Sequence, residues 1–245
     1  MKDIDGNTLD IEAIVTATMR RAIARATADP EQQKQWLAEE EADRRRAFVE
    51  RCARRCLPQD KAFLTKLYHH SEALMTTALN AAQRAIEERM ILPMGMTVVL
   101  AGPSGTGKTF ALCFVVAHYR GGALYALERE MIAYPRTGYS DNEDRWRRWS
   151  EVPVLAIDEL GRGLDEIRPE TRQQRLATMR DLLRIRHDRG KLTLCAGNID
   201  CDSVRVYLDE SLADRVAHQN GNVPWFIGCS GVSLRRSSLA EDPVR

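Results

Sequence analysis

A parallel α/β sheet with helices on both faces, preceded by a small all-helical N-terminal region, is the fold class this sequence predicts. Three observations predict it. From about residue 97, short apolar β-branched runs alternate with helical stretches, the pattern of a buried parallel sheet. One of these runs leads into AGPSGTGKTF, residues 101–110, whose glycines and lysine are spaced to wrap a phosphate. Before about residue 92 the chain is dense in charge of both signs, with helical periodicity and no strand-like alternation.

The elements follow in order. Within EQQKQWLAEEEADRRRAFVERCARRC, Phe48, Cys52 and Cys56 recur every four residues, flanked by Trp36, Leu37 and Val49. That spacing gives a long helix a narrow apolar face, and Pro58 is expected to end it. Residues 61–90 read as a second helical stretch leading to the core domain. A helix bundle covering its own stripe and a partner-binding module both satisfy this pattern, and the EEE and RRR runs read as solvated faces. Five strand candidates follow: TVVLAG (97–102), GALYAL (122–127), VPVLAID (152–158), KLTLCAG (191–197) and VPWFIG (223–228). The helix before the fourth has Pro169 near its start, Leu176, Met179 and Leu183 on one face, and Gly190 at its end. The expected organisation is a helical domain over 1–92, an α/β domain over 93–236 and a polar tail over 237–245.

Composition narrows the function classes. Lys plus Arg number 36 against 35 Asp plus Glu, so any nucleic-acid contact must come from a local patch rather than an overall basic field. The six cysteines include no CxxC pair and read as reduced thiols. The first thirty residues have no signal-like apolar core, and no run approaches the roughly 18 apolar residues of a membrane span. A soluble, cytoplasmic protein is expected.

The loop Gly102-Pro103-Ser104-Gly105-Thr106-Gly107-Lys108-Thr109 fits GxxxxGK[ST] between an expected strand and an expected helix. Glycines admit turns that aim successive N–H groups at phosphate oxygens, and the helix N-terminus adds partial positive charge. Lys108 is placed to reach the β- and γ-phosphates, and the Thr109 hydroxyl to bind Mg²⁺. Asp158, at the end of the apolar run in VLAIDELG, would hold the metal through water. Glu159 beside it would act as base or orienter for the attacking water, with an N-cap or surface pair as the structural alternative. Asn198, closing the fourth strand in LTLCAGNID, could orient that water without adding negative charge; a turn asparagine is the structural alternative. Arg215 in SLADRVAH and Arg235 in GVSLRR suit the spread charge of a phosphoryl-transfer transition state, with exposed salt-bridging arginines as the alternative.

With these motifs assembled, most of residues 44–236 resembles the AAA+ ATPases of the bacterial helicase-loader group, the DnaC-like proteins. GPSGTGKT matches Walker A, LAIDELG matches Walker B with its glutamate, AGN ending at Asn198 matches sensor 1, LDESLADRV matches the arginine-finger box, and GVSLR matches sensor 2. The resemblance implies ATP and Mg²⁺ as cofactors and self-association, with Arg215 reaching a neighbour's nucleotide and Arg235 touching the γ-phosphate in its own subunit. Ser211 stands where the family usually has a basic residue, a departure that bears on assembly-stimulated hydrolysis. The resemblance also implies that the N-terminal helices bind a DnaB-like replicative hexameric helicase, which makes Trp36, Phe48 and Val49 candidate partner contacts.

Single-stranded DNA has a candidate contact in MIAYPRTGYSDNEDRWRRW, where Arg136, Arg145, Arg147 and Arg148 are interleaved with Tyr134, Tyr139, Trp146 and Trp149. Such groups can stack on bases and neutralise phosphates, although a surface segment packing its tryptophans inward would read the same way. Two further readings share the core motifs: an IstB-like transposition helper acting on duplex DNA with a transposase, and a nucleotide-bound helicase-binding module without productive turnover.

Overall fold

Strands β1 (Met96–Ala101), β2 (Ala123–Leu127), β3 (Val154–Leu160), β4 (Leu192–Gly197) and β5 (Phe226–Gly228) form one parallel sheet in the order β2-β3-β4-β1-β5. The computed structural model describes residues 19, 29–69, 76–91, 95–132, 140–163 and 166–230. Every residue of β1 and β4 is buried, so these central strands can be apolar on both faces. The register sets Ala101 of β1 and Leu160 of β3 on either side of Gly197 of β4, so three strands end at one edge.

The helices are α1 (Pro30–Arg54), α2 (Lys61–Tyr68), α3 (Thr77–Ile91), α4 (Lys108–His118), α5 (Glu128–Ile132), α6 (Ser140–Glu151), α7 (Pro169–Asp188) and α8 (Cys201–Gln219). None among the described residues is long and apolar enough to cross a membrane. The chain divides into two units, 1–48 and 49–245. The division therefore falls inside α1, whereas the composition shifts near residue 92, and α2 and α3 belong to the second unit. There Asp60 caps α2 by accepting from Phe63 N at 2.7 Å, Phe63 sits edge-on to Phe110 of α4 at 6.2 Å, and the His118 ring meets the Leu67 carbonyl at 3.0 Å. α4, the helix behind the phosphate loop, is thus braced by α2, which composition alone groups with the N-terminus.

Several local expectations shift. α1 stops at Arg54, before Pro58, because Cys56 adopts φ 61 and turns the chain. The apolar stripe therefore ends at Cys52, and Cys56 is exposed. The Arg55 carbonyl instead accepts from Tyr125 N at 2.9 Å, and its guanidinium reaches the carbonyls of Val116 and Gly121, which covers the edge of β2. The single stretch expected over 61–90 is two helices. β3 runs on to Leu160 through a register shift between Ile157 and Leu160, so Asp158 lies within the strand rather than at its end.

α7 meets its sequence expectations: Pro169 opens it, Leu176, Met179 and Leu183 are buried, and Gly190 at φ 64 lets the chain leave it. Arg186 on the same helix has no exposed surface. Its Nε donates to Thr193 Oγ1 at 2.8 Å, and its Nη groups donate to the carbonyls of Trp149, Val152 and Leu192, tying the end of α6 to the starts of β3 and β4. Burial pushes its pKa down to about 9. We regard the group as cationic nonetheless, because every one of these partners accepts and a guanidinium holds its proton. α8 is broken at Asp209 (φ 50, ψ 166), whose Oδ1 accepts from Leu212 N at 2.9 Å and starts the second segment.

A candidate nucleotide site at the carboxyl edge of the sheet

The sheet order explains why residues about ninety positions apart meet. β4 lies between β1, which launches the phosphate loop, and β3, which carries the acidic pair. Asn198, one residue past β4, is therefore delivered between them. Its Oδ1 accepts from Lys108 Nζ at 3.2 Å, and its Nδ2 donates to Ser104 Oγ at 3.0 Å. This places Asn198 against the phosphate loop.

The loop backbone is turned by positive φ at Gly105 and Gly107. Gly107 is the N-cap of α4 in the left-handed region at φ 88, and no side chain caps that terminus. A helix start with a glycine cap and rising N–H groups suits an anion. Lys108 is 8% exposed, and its Nζ donates to the carbonyls of Gly102 at 2.6 Å and Pro103 at 2.7 Å and meets Thr106 Oγ1 at 3.3 Å. The ammonium is held over the loop by oxygens, the kind of partner that phosphate would supply. Thr109, half-buried at the next position, can offer its hydroxyl to a cation. These residues fit a nucleoside triphosphate with Mg²⁺.

Asp158 is buried and its carboxylate is aimed. The Tyr125 hydroxyl donates to Oδ2 at 2.9 Å, and Glu159 N donates to Oδ1 at 2.8 Å. Burial pushes the Tyr125 phenol far up, with Asp158 adding to the effect, so Tyr125 stays a proton donor. Burial likewise raises the Cys113 thiol, again reinforced by Asp158, which keeps a second neighbour neutral. Glu159 follows in a left-handed conformation, φ 59, within the register shift of β3. A bulge of this kind re-aims one side chain relative to its neighbours, and a non-glycine residue in the left-handed region is strain held by its surroundings. Glu159 Oε1 pairs with Arg162, and Oε2 lies 3.6 Å from Arg129 Nη1, near enough for an ion pair but not a hydrogen bond.

Other candidates fall elsewhere. Arg215 is half-buried on α8, pairs with Asp188 Oδ1 at 2.8 Å and reaches back to the Ser211 carbonyl at 3.4 Å. Neither partner belongs to the phosphate loop. Arg235 lies outside the described residues, as do Arg136, Tyr134 and Tyr139. Arg145, Arg147 and Arg148 are exposed on α6, but Trp149 is buried in the core and Trp146 packs against it. Two aromatics of that segment thus serve the interior and leave the arginines outside. Of the candidate partner contacts, Phe48 is 2% exposed, Val49 is 37% exposed and Trp36 is half-buried.

Reading the motifs missed Tyr125, Glu128, Arg129, Arg162 and Arg175. A signal existed for Glu128: it follows an apolar strand directly, much as an acidic residue ends the apolar part of β3. Nothing in the spacing of Arg175 distinguishes it from the other arginines of α7.

A parallel sheet in this order, with Lys108, Asp158 and Asn198 at one edge, defines the architecture. The described core is a five-stranded parallel α/β sheet with the phosphate loop, the acidic pair and Asn198 at its carboxyl edge. Among solved structures it is similar to DnaI, at 21% identity over 63% of this chain and 82% of that one, with a TM-score of 0.45. It is similar to a primosome component from Streptococcus pyogenes serotype M3 at 15% identity, covering 73% of this chain and 92% of that one, with a TM-score of 0.46. It is also similar to the replication initiator DnaA bound to AMPPCP and single-stranded DNA, at 14% identity over 62% of this chain and 45% of that one, with a TM-score of 0.46. No family model matches the chain, and no curated protein does.

Proposed function

We propose that this chain is a Mg²⁺-dependent ATPase that loads a replicative hexameric helicase onto single-stranded DNA. The observation that carries the ATPase reading is the convergence of Lys108 and Asn198, 3.2 Å apart, on a loop whose neighbouring strands bring Asp158 and Glu159 to the same edge. The loader reading rests on the order and spacing of the sequence motifs.

In this reading Lys108 exchanges its bonds to the Gly102 and Pro103 carbonyls for phosphate oxygens, and the N-terminus of α4 accepts the remaining charge. Thr109, and Asp158 through water, would hold a Mg²⁺ ion, which would supply positive charge to offset that building on the phosphates. Tyr125 and the Glu159 amide keep the Asp158 carboxylate in one orientation. Glu159 takes the proton of the attacking water, and Asn198 holds that water in line. Arg215 acts from a neighbouring subunit once it leaves Asp188, and Arg235 acts within its own. The exposed Arg145, Arg147 and Arg148 contact the DNA backbone, and the N-terminal helices contact the helicase.

Two measurements test this. Glu159→Gln should bind ATP as the wild type does and hydrolyse it about 10²–10⁴-fold more slowly, the usual contribution of a positioned base; wild-type turnover would remove Glu159 from the mechanism. The full-length protein should co-purify with the replicative helicase of its own genome in a nucleotide-dependent manner. Capture of a transposase instead would favour the transposition-helper reading.

A further inference from the structure

Glu128 belongs to none of the motifs above, yet it is the most heavily engaged carboxylate near the site. It follows β2 immediately and has no exposed surface. Its Oε2 accepts from Gly161 N at 2.7 Å and from Arg175 Nη2 at 2.8 Å, and its Oε1 accepts from Arg175 Nε at 2.9 Å. The hydrogen bond to Glu128 raises Arg175 above its ordinary value, so the guanidinium keeps its charge.

The placement of Gly161 gives this pair its meaning. Gly161 stands two residues after Glu159 and has φ 81, and a Cβ there would lie 2.5 Å from Ile199 Cγ2, the residue after Asn198. The turn that bears Glu159 is therefore fixed at both ends. Asp158 is held through Tyr125 of β2, and Gly161 through Glu128 just past β2. Between the two fixings Glu159 occupies its left-handed conformation.

Adhesion alone does not account for a buried ion pair at this point. Desolvating two charges offsets most of their attraction, and apolar residues of similar volume often hold a protein together as well or better. What an apolar pair cannot do is accept the Gly161 N–H. We propose that Glu128, held by Arg175, is a positioning residue for ATP hydrolysis: it fixes the turn so that Glu159 meets the attacking water, and it affects turnover without affecting nucleotide binding. This rests on the ATPase reading above.

The test compares Glu128→Gln, the double variant Glu128→Leu/Arg175→Met, and Arg175→Lys in the full chain. ATP hydrolysis, affinity for a fluorescent ATP analogue, and amide hydrogen exchange over residues 159–162 are measured for each. Glu128→Gln keeps an oxygen for Gly161 N and should lose less turnover than the double variant. The double variant should bind nucleotide with wild-type affinity and unchanged KM. Its kcat should fall at least about tenfold, the change expected when a reacting group is held in looser geometry. Its exchange at 159–162 should speed up by a similar factor as the Gly161 bond is lost. Wild-type kcat and wild-type exchange in a folded double variant would overturn the proposal. Where that variant does not fold, Arg175→Lys decides: it keeps the charge without the two-pronged bond, and unchanged kcat and exchange there would also overturn it. An absence of ATP hydrolysis in the wild-type chain would instead overturn the ATPase reading, and the exchange measurement would still decide whether Glu128 fixes the turn.

Discussion

Replacing Lys108 with alanine should abolish nucleotide binding at working concentrations while leaving the fold intact. Lys108 is 8% exposed, and its ammonium makes two short charge-assisted bonds, to Gly102 O at 2.6 Å and Pro103 O at 2.7 Å. A phosphate occupying the loop would take over bonds of this kind. Hydrogen bonds to charged groups contribute about 1.5–3 kcal/mol each, so losing two weakens binding by about 3–6 kcal/mol. At about 1.4 kcal/mol per decade that is roughly two to four orders of magnitude in Kd. The side chain does not fill the core, and the carbonyls it leaves can turn to water, so the melting temperature should move little. Equilibrium titration with a fluorescent ATP analogue and Mg²⁺ measures the first effect, and thermal unfolding the second. Binding within threefold of wild type in a folded variant would refute the assignment of Lys108 to phosphate.

Three further outcomes follow from the same geometry. Arg215→Ala should keep nucleotide binding but lose any rise in turnover with protein concentration, because Arg215 engages Asp188 and Ser211 rather than its own loop; a rise equal to wild type in a concentration series would count against it. Arg186→Met should destabilise the second unit by about 3–5 kcal/mol, since removing a buried cation strands acceptors of α6, β3 and β4 at once, and a shift in melting temperature below about 2 °C would contradict this. Burial opposes ionisation of Asp209, but Leu212 N–H and Arg184 hold its carboxyl below its ordinary value. Its stabilisation is thus complete above the unfolded carboxylate pKa of about 3.9 and is lost as pH falls through the lower folded value. Asp209→Asn should therefore flatten the acid limb of the stability profile below about pH 4, and an unchanged limb would remove Asp209 from it.

The fold was legible in the sequence because its signals are local. A strand buried on both faces must be almost wholly apolar, as β1 and β4 are apart from Thr97 and Thr193, and a phosphate loop needs glycine where φ is positive, as at Gly107. Strand and helix limits were less legible. Cys56 and Glu159 both take left-handed backbone that their residue types do not announce, and each moves an element end by a few residues. The tryptophans of α6 show the same limit: Trp146 and Trp149 have a composition suited to stacking on bases, but helical spacing turns them onto the core, which no composition states.

By itself, then, the sequence determined the parallel α/β class and nominated Lys108, Asp158, Glu159 and Asn198, since their chemistry follows from residue type and from position beside a strand. Only the tertiary structure decided that Asn198 reaches Lys108, that Tyr125 aims Asp158, and that Glu128 and Arg175 hold Gly161. These contacts join residues 33 to 90 positions apart, and they depend on the strand order β2-β3-β4-β1-β5. Periodicity reports which face of an element is buried; it carries no information about which element lies next to it.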